Sequence, residues 1–318
     1  MSFEFVEKLN FDSEFFSLYK LSDGVFAAIC KESSGMGSNA GFIDLGDFSL
    51  MIDTSLSTKA AEDLKRASIN FTGKTPKVVI ITHYHLDHVI GNNIFDPSTL
   101  IITSDRTLNT IKTENQKRIE ELKNMPQEEI LKMEKSLETE RDDEKRQDIE
   151  NDLKFIRSIQ AEDFSSRDPN LTFKEELIIY GKTRKVFLRT FKKAHTDGDV
   201  IIYIPNQKIL YSGDLLFARS DPWLGSGDPE GWKSVIDDIL ELDFKIVIPG
   251  HGELASKKEF SLQKDYITEI VDLVKKQVKS GKDSIMLKRA DLSPEFQEWK
   301  SPILEWNVNF LVEFLRKP

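Results

Sequence analysis

The chain has 318 residues, 39% hydrophobic and 31% charged, with 44 basic against 54 acidic side chains and a formal net charge of −10. That length can bury a large core, as one big α/β domain or two smaller ones. The acidic balance argues against a nucleic-acid partner, because phosphate-tracking surfaces are built from clustered Lys and Arg, and the single cysteine, Cys30, excludes an internal disulfide framework and any CxxC metal site.

The N-terminal stretch MSFEFVEKLNFDSEFFSLYKL is interrupted by Glu, Lys and Asp before a long apolar run can form, and no run of about 18 apolar residues occurs anywhere. No secretory signal and no membrane partner are therefore expected, and a cytoplasmic location is the simplest reading. Short β-prone runs follow at Gly24–Cys30, Ala40–Ile43 and Phe48–Ile52, separated by turn residues such as Gly35-Met36-Gly37-Ser38 and Gly46-Asp47. A helix is predicted over about Thr58–Ala67, then buried-strand runs at Lys77–Thr82 and Leu100–Thr103. Strand, helix, strand is the pattern of α/β layering.

Residues 112–162 differ in character, being dense in charge of both signs. Helical spacing survives in Ile130, Met133 and Leu137 and again in Ile149, Leu153 and Ile156, and Pro126 before Gln-Glu-Glu marks a helix start. Two antiparallel helices are predicted here, an inserted hairpin that serves as a lid, as the contact of a homodimer, or only as a solvated link. Strands resume at Lys174–Tyr180, Lys185–Phe191, Asp199–Ile204, Lys208–Ser212 and Phe244–Ile248, with a helix at Glu230–Glu241. Leu262, Tyr266, Ile270, Val274 and Val278 repeat every four residues in an amphipathic helix closed by Gly281, and Ser301–Leu315 is a last helix rich in Trp and Phe.

The five histidines stand at His83, His85, His88, His195 and His251, and apolar β-like runs precede them: KVVIIT before His83, KVFLRTF before His195, KIVIPG before His251. A fourth run, KILYSG, ends at Asp214. Loops at strand ends are where a rigid scaffold presents reactive groups. If strand alternation continues through the cluster ITHYHLDHVIG, His83 and His85 share a side and Tyr84 points away. A following helix would displace Asp87 and His88 toward a second centre. His195 and His251 would each complete one side, and the two oxygens of Asp214 could bridge them. Imidazole and carboxylate donors without thiolate suit zinc, iron or manganese.

These residues resemble the signature of the metallo-β-lactamase superfamily: HxHxDH in His83-Tyr84-His85-Leu86-Asp87-His88, then His195 in AHTDGD, Asp214 in YSGDLLF and His251 in PGHG. The resemblance implies a single αβ/βα sandwich domain over residues 1–318, an α/β (α+β) fold of four layers that carries the hairpin as an insertion and packs residues 258–318 as C-terminal helices on the same domain. It also implies two divalent ions per chain, zinc first, with iron or manganese as alternatives. His83, His85 and His195 would bind the first ion and Asp87, His88 and His251 the second, with Asp214 between them. Asp53, in LMIDTS, matches the family's early aspartate, an outer residue that orients a ligand. Aspartate rather than cysteine in YSGDLLF is similar to the hydroxyacylglutathione hydrolase and lactonase branches, whereas AHTDGD departs from their usual GHTPG.

The implied reaction is hydrolysis of an ester, thioester, lactone or related carbonyl compound by a hydroxide bridging the two ions, a nucleophile that paired cations make available near neutral pH. Asp87 is the expected catalytic base and proton carrier. Cys30 reads better as a small buried apolar residue than as a nucleophile. The loop ARSDPWLGSGDPEGW after Asp214 is the candidate pocket wall, with Trp223 as an apolar surface and Tyr84 as a further substrate contact, against packing roles for both. Asp197 and Asp199 are read as turn and capping residues. Two other activities stand beside the hydrolase: an iron persulfide dioxygenase using His83, His195 and Asp214 alone, and a metal-dependent phosphodiesterase or nuclease. A small-molecule substrate is the expected partner.

Overall fold

A computed structural model describes residues 5–280, 285–299 and 303–316 of the protein. Within them the chain is mixed α/β, with an eight-stranded and a five-stranded sheet, and it divides into two compact units: residues 2–174 with 178–185, and residues 175–177 with 186–318.

In the first unit β1 (Glu7–Lys8), β2 (Phe16–Ser22), β3 (Val25–Cys30), β4 (Ala40–Asp44) and β5 (Ser49–Ile52) pair antiparallel in sequence order. Tight turns make this possible, and Gly24 (φ 67°) and Gly46 (φ 95°) hold backbone conformations that side-chain-bearing residues seldom adopt. β2 has no counterpart among the predicted strands; its buried Phe16, Leu18 and Leu21 are interleaved with half-buried polar residues that mask the period. The sheet then turns parallel, which requires a crossover. That crossover is α1 (Thr58–Thr72), whose Ala60, Ala61, Leu64 and Ala67 lie on one buried face. The Ser57 side chain accepts from the Ala60 N–H at the start of α1. The helix runs past its expected end to Gly73, whose left-handed backbone (φ 70°) returns its N–H to the Ile69 carbonyl.

β6 (Pro76–Ile80) follows, then α2 (Leu86–Val89), β7 (Leu100–Ser104) and α3 (Asp105–Thr110). A π-turn at Ile111–Asn115 leads into α4 (Gln116–Lys123), then come α5 (Gln127–Thr139), α6 (Asp143–Gln160) and β8 (Leu171–Phe173) at the edge of the sheet. The charged segment is thus three helical stretches rather than a simple pair, and helix begins before residue 112, where the Ser104 hydroxyl caps α3 as soon as β7 ends. The π-turn shifts the helical register, which is why periodic spacing becomes legible only from Ile130. Ile130, Leu153 and Ile156 lie in an apolar cluster with Ile90, Ile119 and Leu122, and Met133, Leu137 and Ile149 pack against it. Their apolar faces are therefore spent within this unit.

The five-stranded sheet has the order β13-β12-β11-β10-β9, with β9 (Glu176–Tyr180), β10 (Lys185–Thr190), β11 (Val200–Ile204), β12 (Ile209–Phe217) and β13 (Ile246–His251); β11, β12 and β13 lie wholly in the second unit. β12 and β13 are parallel, joined through α7 (Pro229–Leu240), whose Pro229 starts the helix while the Asp228 carboxylate accepts from Glu230 and Gly231 N–H. A Ser256–Glu259 capping box opens α8 (Lys257–Lys279). Its expected closure at Gly281 lies outside the described residues. α9 (Pro294–Gln297) and α10 (Leu304–Arg316) complete the unit; Ser301 and Pro302 of the predicted last helix are also outside. Trp232, Phe260, Tyr266, Ile270, Phe296 and Leu311 fill the core against β12 and β13. Among the described residues no helix is long and apolar enough to cross a membrane.

Candidate metal centre

The sequence-predicted ligands divide between the units. His83, His85, Asp87 and His88 stand in the first, together with Asp53; His195, Asp214 and His251 stand in the second.

In the first unit β6 ends at Ile80, two residues before its predicted end, so His83 and His85 are not successive residues of a strand. His85 sits instead at the N-terminus of α2. The turn still gathers the pair: His83 Nε2 lies 3.0 Å from His85 Nδ1. Asp87 Oδ2 is 3.4 Å from His88 Nε2. Asp53, buried and in a left-handed backbone conformation (φ 56°), organises one histidine of each pair, His83 and His88. Its Oδ1 accepts the Thr82 N–H and its Oδ2 accepts the Thr82 hydroxyl and His88 Nδ1–H, each at 2.8 Å. Since Thr82 spends its only hydroxyl proton on Asp53, its oxygen must accept from His83 Nδ1–H, 3.1 Å away. One carboxylate therefore sets the tautomer of His88 directly and of His83 through Thr82, leaving Nε2 of each as the electron-pair donor.

Three groups that the motif reading passed over support this cluster. The Ser38 hydroxyl donates to the Asp87 carbonyl at 2.6 Å. A Cβ on Gly37 would meet Asp87 Cβ at 2.6 Å, so the Gly-Met-Gly-Ser turn is a backing for Asp87 that no larger residue permits. Asn115, in the π-turn, donates from Nδ2 to the Tyr84 carbonyl at 2.5 Å. Turn composition alone gave no sign of what Gly37 and Ser38 touch. The Tyr84 ring packs partly buried on the core, edge-on to His85. Burial raises the Cys30 thiol above its ordinary value, the opposite of what a nucleophilic thiolate needs.

In the second unit Asp214 lies inside β12 rather than at a strand end, because β12 continues to Phe217 through register shifts around Gly213 (φ 51°). Such a bulge re-aims the side chain beside it. His195 Nε2 and His251 Nε2 both approach Asp214 Oδ2, at 3.4 and 3.2 Å. A Cβ on Gly250 would stand 1.8 Å from Asp214 Oδ1, which explains the glycine in PGHG. The His195 ring is fully buried against Trp232 and Phe217, and Phe217 stacks on His251 at 4.6 Å. Its Nδ1 faces the Trp223 carbonyl at 3.1 Å. Asp199 closes the His195 loop by accepting the Thr196 N–H and hydroxyl. Burial pushes the Asp199 carboxyl up to about 7, against those hydrogen bonds, and the Asp214 charge adds to the rise.

The donor chemistry fits a divalent ion. Three buried imidazoles have Nδ1 occupied by an outer oxygen and Nε2 turned to another ligand-type group, the arrangement that metal-binding histidines take. Tetrahedral zinc with bonds of ~2.0–2.1 Å holds ligand nitrogens about 3.3 Å apart, close to the 3.0 Å between His83 and His85.

The family model of the metallo-β-lactamase superfamily matches residues 34–101 and 117–251. The chain belongs to this superfamily. Its fold is that of a metallo-β-lactamase from Pontibacter korlensis, with a TM-score of 0.54 at 16% identity over 83% of this chain and 99% of that one. It is also similar to the structure of TMB-1, with a TM-score of 0.56 at 18% identity over 80% of this chain and 98% of that one. No curated protein matches it in sequence. Superfamily members are in general metal-dependent hydrolases, and the histidine and aspartate clusters of both units accord with that class.

Proposed function

We propose that this superfamily member hydrolyses a small ester, thioester, lactone or related carbonyl compound at a centre of two divalent ions, zinc in the first instance. By the superfamily pattern, His83, His85, His195 and Asp214 would form one ligand set and Asp87, His88 and His251 the other, with Asp214 shared. When bound, such ions supply a water acidified to near neutral pH and an electrophile for the substrate oxygen. The chain's own groups do the rest. Asp53 holds the tautomers of His83 and His88, and Asp87, backed by Gly37 and Ser38, offers a carboxylate that can take the proton of an attacking water and carry it to the leaving group. Trp223 and Tyr84 remain candidates for substrate contact.

The observation that carries this reading is the locked set of imidazoles in a donor array of nitrogen and carboxylate oxygen without thiolate. Aspartate rather than cysteine at position 214 supports the hydrolase and lactonase branches, and the net charge of −10 weighs against a nucleic-acid substrate. Elemental analysis of protein purified without added metal or chelator tests the proposal. Close to two zinc, iron or manganese ions per chain, with turnover of a thioester or lactone panel that chelation abolishes, is the expected result. One iron per chain that survives His88→Ala would overturn it in favour of a mononuclear dioxygenase.

A further inference from the structure

We infer that Asn307 of α10 is a positioning residue for the His195 imidazole, acting through the backbone of Pro222–Leu224; this rests on the metal-ligand role proposed for His195. A carbonyl oxygen only accepts, so the contact of His195 Nδ1 with the Trp223 carbonyl at 3.1 Å requires the proton on Nδ1. In the neutral ring Nε2 then keeps its electron pair, and it faces Asp214. The ring is fully buried among Trp232 and Phe217, so no solvent can take the carbonyl's place. Where that carbonyl stands thus decides both the tautomer and the tilt of the ligand.

The peptide units on either side of Trp223 are held by one side chain. Asn307 donates from Nδ2 to the Pro222 carbonyl at 2.8 Å and accepts the Leu224 N–H on Oδ1 at 3.0 Å, all of it buried. One residue earlier, buried Asp221 receives both terminal nitrogens of Arg289, and the Trp223 ring lies 6.3 Å from that of Trp306. Burial raises the Asp221 carboxyl, and the Arg289 guanidinium works against that rise. Arg289, Trp306 and Asn307 all lie beyond residue 251, where the match to the family model ends. A segment outside the shared family core therefore supplies the outer hold on a residue inside it.

The test reads the His195 tautomer by long-range 1H–15N correlation in metal-free, full-length protein, assigned with His195→Gln. At a pH where the ring is neutral, wild type is expected to show the Nδ1–H form. Asn307→Leu, which removes both bonds at similar volume, should give a mixture of tautomers, a changed visible spectrum in the cobalt-loaded protein and cobalt affinity lower by about 10–100-fold. Asn307→Asp, which keeps the acceptor and loses the donor, should fall between them and decides the matter if the leucine variant does not fold. An unchanged tautomer in a folded variant overturns the inference, even if cobalt affinity drops, because loosened packing alone would produce that drop. A wild-type protein that purified without metal would sink the proposed hydrolase and leave the tautomer result standing.

Discussion

The Asp53 carboxylate accepts three hydrogen bonds on two oxygens while its backbone sits at φ 56°. Aspartate tolerates that conformation better than most residues, and the amide of Asn has only one accepting oxygen. Asp53→Asn must therefore turn an NH2 toward either the Thr82 N–H or the Thr82 hydroxyl and His88 Nδ1–H. The expected outcome is metal affinity weaker by about 10–100-fold, measured by competition with a chromophoric chelator; unchanged affinity would show that His83 and His88 hold their tautomers without it. Gly250→Ala is a harsher change, since its Cβ would stand 1.8 Å from Asp214 Oδ1 and the carboxylate must move. That variant should fold and yet lose bound metal, read by elemental analysis beside a circular dichroism spectrum. Motif spacing made position 214 legible, but the reason for the glycine beside His251 lies in packing between β12 and β13.

At the scale of elements, the 195–199 loop and the α5–α6 pair make different predictions. The Asp199 carboxyl is raised by burial to about 7 from its ordinary 3.8. The folded state then binds the proton more tightly than the unfolded chain, so this group's contribution to stability is fully present below about pH 4 and is lost as pH rises through about 7. Metal-free wild type should lose melting temperature between pH 5 and 7.5, and Asp199→Asn should flatten that decline; parallel pH profiles would refute the assignment. In the helical segment, Ile156 is 4% exposed and Leu131 is 52% exposed. Ile156→Ala should cost about 2–5 kcal/mol by cavity formation, and Leu131→Ala should stay within about 0.5 kcal/mol, as read by urea unfolding. Equal effects would mean that the apolar faces of α5 and α6 do not dock. The spacing Ile130, Met133, Leu137 pointed to that face, whereas the π-turn before it carries no local signal and hid the earlier helix.

For the molecule as a whole, a ligand that binds only the folded state raises stability by mass action, and a proposed centre built from seven side chains makes that linkage strong. Chelation should lower the melting temperature by several degrees, and stoichiometric zinc should restore it; an unshifted melt after verified metal removal would argue against the centre. What the sequence determined by itself was the alternation of strands with crossover helices, the order of the HxHxDH, His, Asp and His positions, and their nitrogen and oxygen chemistry. Those are local properties: apolar runs of the right length specify strands, and a six-residue spacing keeps three imidazoles and a carboxylate within one turn. The tertiary structure alone decided that Thr82 relays Asp53 to His83, that Ser38 and Gly37 back Asp87, and that Asn307 fixes the carbonyl facing His195. Asn307 is 112 positions from His195 in the chain. A hydrogen bond across such a separation leaves no periodicity and no motif, because it exists only once α10 has packed on the core and brought its donor to a backbone that the local sequence does not place.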